Sequence, residues 1–186
     1  MNQSEFEKRL DELTNLLKES EKETFDIDIE EIEKEMNNLL DGKISVKYKS
    51  SNPKELKYNY LSDSGFDLYS NEEIIISGLG RALVPTGVYF DLPEDFEIQV
   101  RSKSGLAINQ GLMVLNSPGT VDEGYTGEIK VIVFNTNQTE FKIEKGMKVA
   151  QAVVSRCVSG KWVNLVKVKE IQNKDRGNNG FGSTGI

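Results

Sequence analysis

The amino-acid sequence predicts an all-β domain, a jelly-roll-like barrel or sandwich, preceded by an α-helical extension. Three observations carry this. From position 66 onward, short apolar runs recur between turn signals at spacings near ten residues, the rhythm of strands in a sandwich or barrel. Just upstream, Ile44, Val46 and Tyr48 alternate with Ser45, Lys47 and Lys49, the period of a half-exposed strand. Ahead of them the charge balance breaks: residues 1–42 hold five basic and fourteen acidic side chains, net −9, and residues 43–186 hold eighteen and sixteen, net +2. Such a break marks a domain boundary near Gly42.

Taken in order, the first 42 residues read as two helices. Ser4 and Glu7 have capping-box spacing, and Phe6, Leu10, Leu13 and Leu17 follow at steps of three or four. Asp28 with Glu31 starts a second helix, with Ile29, Ile32, Met36 and Leu39 or Leu40 on one face and Gly42 as its C-cap. Each apolar stripe is too narrow to stand alone, so the helices must pack on each other, on the main domain or on another chain. After the strand at 44–49, strands are expected at 66–69, 74–76, 82–84, 88–92, 98–100, 112–115, 129–134, 141–143, 149–154 and 162–168. Only residues 105–110 read as a short helix, and no internal repeat is present. The organisation is therefore an acidic extension (1–42), a β domain (43–175) and a Gly-rich C-terminal segment (176–186).

Composition restricts the chemistry. There is no histidine, so a general base must be Asp, Glu, Lys, Tyr or water, and His-ligated metal sites are excluded. The single Cys157 cannot form an intrachain disulfide, which suggests a reducing, cytoplasmic setting. A metal would be a hard, oxygen-liking cation such as Mg²⁺. No apolar run reaches membrane-spanning length, the N-terminus lacks the pattern of a secretory signal, and no basic face with aromatics points to nucleic acid.

Five segments stand out. Residues 116–128 set Gly119, Gly124, Gly127 and Pro118 between two apolar runs, reading as a hairpin with an open tip that carries Asp122 and Tyr125. Asp122 is either an ordinary turn residue or a placed carboxylate. Asp67 lies inside the short apolar strand 66–69, where it needs a hydrogen bond or a cation. Residues 101–107 end a strand and open a helical turn; Ser104 and Gly105 suit phosphate there, or the segment is a plain basic strand end. Gln151 is a polar residue on an apolar run. The tail, 176–185, holds four glycines, Arg176 and Phe181. Its G-x-G-x-x-G string is followed only by Ile186, so no dinucleotide-binding unit can form. A lid closing over a polyphosphate or a loose terminus are the two readings.

In this order the segments resemble the five motifs of the trimeric dUTPase family (dUTP diphosphatases): 64–69 the first, 101–107 the second, 119–128 the third, 146–151 the fourth and 176–185 the fifth. The resemblance spans about residues 44–186. It implies the dUTPase β-barrel and Mg²⁺-assisted hydrolysis of dUTP to dUMP and pyrophosphate. Asp122 is implied as the base acting on a water that attacks the α-phosphorus, with Gln151 near the α-phosphate. Tyr125 would pack on deoxyribose and exclude a 2′-hydroxyl, while Asn116 and backbone of the hairpin, Gly119 and Val121 included, would hold uracil. Lys103, Ser104 and Gly105 would contact phosphates. Arg176, Ser183 and Thr184 would hold the β- and γ-phosphates, and Phe181 with Gly182 would cover the base. Asp67 would hold Mg²⁺ through water. A homotrimer with shared sites is also implied. Lys103 stands where the common pattern has arginine, and Met147 where it is usually acidic. Outside the resemblance lies the extension, which could grip a protein partner. The alternatives to hydrolysis are a regulatory protein of this fold and a relative of the dCTP deaminases.

Overall fold

The computed structural model describes residues 3–20 and 29–180. The chain opens with α1 (Gln3–Ser20) and α2 (Ile29–Leu40). Leu13 and Ile32 are buried between them, Phe6, Leu10 and Met36 are half-buried, and Arg9 bridges to Glu35 at 2.7 Å. α1 starts at Gln3, so Ser4 lies within the helix and not at its cap. The expected start at Asp28 falls outside the described residues. Gly42 has a φ of +69°, the left-handed conformation that follows a helix end. The two buried side chains contribute on the order of 1.5–3 kcal/mol each. Ordering helices of 18 and 12 residues costs roughly 1–2 kcal/mol per residue before hydrogen bonding is counted. Among the described side chains, burial alone does not cover that cost.

The rest is antiparallel β structure. The strands are β1 (Lys47–Ser50), β2 (Phe66–Tyr69), β3 (Ile74–Ile76), β4 (Arg81–Pro85), β5 (Val88–Asp91) and β6 (Phe96–Arg101). A short helix, α3 (Ser104–Gln110), precedes β7 (Leu112–Val114), β8 (Gly119–Val121), β9 (Lys130–Asn135), β10 (Phe141–Ile143) and β11 (Lys148–Arg156). They form sheets β2-β11-β6-β8 and β4-β9-β7 and the pairs β1-β5 and β10-β3. Inward positions alternate as expected: Phe96, Ile98 and Val100 on β6, Val131 and Val133 on β9. All of these except Phe96 make one continuous core with Leu68, Val84, Leu112 and Ile143. Buried Asn135 is satisfied there by donating to the carbonyls of Ile76, Ser77 and Thr139 while its Oδ1 accepts the Asn137 N–H.

Three expectations need correction. Residues 44–46 precede β1 rather than belonging to it, and Ile44 is exposed. The hairpin tip is not merely open: β7 does pair with β9, but β8 lies between them in sequence and pairs with β6. Finally, residues 162–168 form no strand. A 3₁₀ turn, Gly160–Trp162, is followed by irregular chain with Leu165 91% and Ile171 85% exposed. Apolar and β-branched composition favours a strand, but a strand needs a ladder partner, and no strand of the described chain lies beside this segment.

Candidate active site

The four-stranded sheet brings the first, second and fourth segments together. Gln151 on β11 stands opposite Asp67 on β2 and opposite Arg101 on β6. Asp67 is 6% exposed, and its two oxygens meet the ammonium groups of Lys103 and, at 2.6 Å, Lys148. Burial alone would push this carboxyl up; hydrogen bonds from Lys103 and Lys148 outweigh that and hold it below the ordinary carboxylate range. The same contact raises Lys148. Lys148 was not singled out from sequence, because residues 148 and 151 of a regular strand face opposite sides. A register shift between Lys148 and Ala150 puts both beside Asp67. The local signal was Lys148 itself, three residues before a polar Gln on an apolar strand.

Gln151 Nε2 donates to the Ser102 carbonyl at 2.9 Å, which leaves its second N–H for another acceptor. Gly65 lets β11 pass close to the chain entering β2: a Cβ there would lie 2.9 Å from the Ala152 carbonyl. Ser104 and Gly105 occupy the first turn of α3, with Lys103 as the residue before it. N–H groups of a first helical turn have no intrahelical acceptor. Ser102 then ties this segment to the hairpin, its Oγ accepting the Val114 N–H at 2.9 Å and its own N–H reaching Ser117 Oγ at 3.4 Å.

In the hairpin, Asn116 is exposed and its amide lies against Gly119, which is buried with Val121 on β8. Beyond β8 the chain makes a tight turn in which the Tyr125 N–H donates to the Asp122 carbonyl at 3.0 Å. Asp122 is exposed at its first position and Tyr125, 47% exposed, closes it. The Tyr125 hydroxyl donates to the Glu128 carbonyl at 3.0 Å, folding the ring over Gly127, where a Cβ would come within 2.6 Å of the phenol. Gly127 is thus the residue that allows the ring to lie flat across its own loop.

Among the described residues no hydrogen bond or ion pair joins Asp122 or Tyr125 to the Asp67–Lys103–Gln151 group. Nor do the expected site residues line the two open cavities, one of about 380 Å³ around Tyr48 and Phe90 and one of about 570 Å³ between the helix pair and residues 93–96. Arg176 is exposed in a turn and donates to the Asn179 carbonyl at 3.0 Å. Phe181, Gly182, Ser183 and Thr184 lie outside the described residues.

The fit of these residues to Mg²⁺ is decided by their donors. Among the described residues no three His, Cys, Asp or Glu side chains converge, and both Asp67 oxygens face lysines. Such a set leaves phosphate oxygens and water as the main ligands of any Mg²⁺ ion bound here. It does not suit an ion caged by protein. No described helix is long and apolar enough to cross a membrane.

Comparison with known proteins gives a consistent result. A family model described as dUTPase matches residues 52–185. The deoxyuridine 5′-triphosphate nucleotidohydrolase of Clostridium acetobutylicum is 48% identical over 124 residues, covering 67% of this chain and 83% of that protein. The dUTPase of Staphylococcus bacteriophage 80alpha, solved with dUpNHpp, superposes with a TM-score of 0.68 at 24% identity, over 76% of this chain and 99% of the phage chain. A dUTPase of phage phi11 of S. aureus, described as revealing the coordination of a structural Mg(II) ion, does so with a TM-score of 0.60 at 21% identity, over 68% of this chain and 97% of its own.

Proposed function

The chain belongs to the dUTPase family, and on that premise we propose that it cleaves dUTP to dUMP and pyrophosphate with Asp122 as general base. The observation that carries this is the turn from Asp122 to Tyr125, closed by the 3.0 Å bond between its ends. It sets an exposed carboxylate beside a ring held across the loop. Asp122 takes a proton from water as the water oxygen bonds to the α-phosphorus. The bond from that phosphorus to the bridging oxygen breaks, and pyrophosphate leaves. A positioned base supplies about 10²–10⁴-fold; orientation and charge neutralisation supply most of the remainder.

Each other residue binds or orients. Tyr125 presents its ring to deoxyribose and leaves no space for a 2′-hydroxyl. Asn116, with the backbone of Gly119 and Val121, reads uracil, and a cytosine would present mismatched donors and acceptors. Lys103, Ser104 and Gly105 contact phosphates, the free N–H of Gln151 addresses the α-phosphate, and Arg176 with Phe181, Gly182, Ser183 and Thr184 closes over the nucleotide. Asp67 would steady a Mg²⁺ ion through water, and an ion bound to the triphosphate would supply neutralisation of phosphate charge. Lys103 is a point charge, so its contact lacks the two-pronged geometry an arginine would bring.

A homotrimer completes the site in this reading. The support is the exposed apolar arm after Trp162, with Leu165 and Ile171 almost wholly open to solvent. In this reading the acidic extension, residues 1–42, is the part a protein partner would grip, and the cell compartment is the cytoplasm. The regulatory and deaminase alternatives are not favoured, because the family model and the curated relative are both named for dUTP hydrolysis. The test is Asp122→Asn: turnover should fall by about 10³-fold while dUTP still binds. Turnover close to the parent's removes Asp122 from its role.

A further inference from the structure

The residue after Asp122 is gripped from two sides by parts of the chain far away in sequence. Glu123 Oε2 accepts the Asp95 N–H at 3.0 Å and meets Lys161 Nζ at 3.3 Å. Asp95 lies in the turn between β5 and β6 with a φ of +63°, a left-handed conformation that aspartate adopts more readily than most non-glycine residues because its short polar side chain can bond locally. Here all of its polar groups are engaged. Its N–H goes to Glu123, and its carbonyl accepts the Cys157 N–H at 2.9 Å. The carboxylate accepts the Trp162 indole N–H at 2.8 Å and the Ser159 hydroxyl at 3.2 Å. Lys161 completes the clasp by donating to Glu94 at 2.6 Å. That bond to Glu94 is the largest cause raising Lys161 to about 12.

The clasp has two functional ends. Glu123 is the second residue of the turn that begins at Asp122 and closes at Tyr125, so fixing its side chain restrains the backbone that aims both. Ser159 to Trp162 are the root of the C-terminal segment that carries Arg176. We propose that Glu123 is a positioning residue for hydrolysis: held by the Asp95 N–H and the Lys161 ammonium, it fixes the Asp122–Tyr125 turn and links it to the root of that segment. The proposal rests on Asp122 being the base.

Glu123→Ala, Lys161→Met, Lys161→Arg and the double variant Glu123→Ala/Lys161→Met separate the possibilities when kcat and KM for dUTP are measured. Misplacing a base by a fraction of an ångström is expensive, so kcat should fall about tenfold or more in Glu123→Ala and Lys161→Met while KM moves less than about threefold. The double variant should be no worse than the worse single change, since Lys161 acts through Glu123. Lys161→Arg should recover most of the loss. Trp162 is the chain's one tryptophan, and its unchanged emission in Glu123→Ala would show that the Asp95 side of the clasp and the fold persist. A kcat within about twofold of the parent in both single variants overturns the proposal, as do additive losses in the double variant. If that happens while Asp122→Asn still abolishes turnover, the positioning role alone has failed. Should Asp122→Asn itself turn over normally, the reading beneath it has failed.

Discussion

Asp67 shows how neighbours decide the charge of a buried side chain. From sequence, a carboxylate in an apolar strand required a partner; its position was legible, but one of its two partners was not. Lys148 reaches it only because β11 is irregular between residues 148 and 150, and no side-chain pattern encodes a bulge reliably. The two ammonium groups hold Asp67 below its ordinary value of 3.8. A carboxyl whose pKa is lower folded than unfolded stabilises the fold above the unfolded value and loses that contribution as pH falls through the folded one. The Tm gap between parent and Asp67→Asn should therefore be widest near neutrality and shrink as pH drops below the ordinary carboxylate range. A gap that stays constant with pH would show that the lysines do not hold the charge.

Among elements, the hairpin carrying Asp122 and Tyr125 was legible in its arms and only partly in its tip. Two apolar runs and the glycines between them located β7 and β9, whereas three-residue β8 is too short and too close to Pro118 to announce itself, and its partner β6 is remote in sequence. Nor could sequence tell that the Tyr125 ring lies over Gly127. That contact predicts a specific defect. In Gly127→Ala the added methyl meets the exposed, movable ring and not the core, so the ring should shift and the fold should survive. Preference for dUTP over UTP, as a ratio of kcat/KM values, should fall roughly tenfold with little change in Tm. An unchanged ratio would mean the ring does not guard the sugar. The segment at 162–168 taught the opposite lesson: its composition reads as a strand, but pairing decides, and no partner strand is present within the described chain.

At the scale of the whole molecule, the charge break near Gly42 coincides with a change from helices to strands, and the β domain has a continuous core of its own. Removing residues 1–42 should leave kcat/KM for dUTP within about twofold of the parent, since site residues all lie beyond it; a large loss would place the helices in the catalytic assembly. All-β architecture was legible because short apolar runs recur between turn signals about every ten residues. Assembly of the site was not, because the neighbours of Asp67, Gln151 and the Asp122 turn are set by how β2, β11, β6 and β8 pair. The most direct test follows the attacking oxygen. Purified protein is given each deoxynucleoside triphosphate and UTP with Mg²⁺ in ¹⁸O-enriched water, and products are weighed by mass spectrometry. Consumption of dUTP above the others, with label in dUMP and none in pyrophosphate, is the expected result; label in pyrophosphate, or equal consumption of dCTP or UTP, would contradict it.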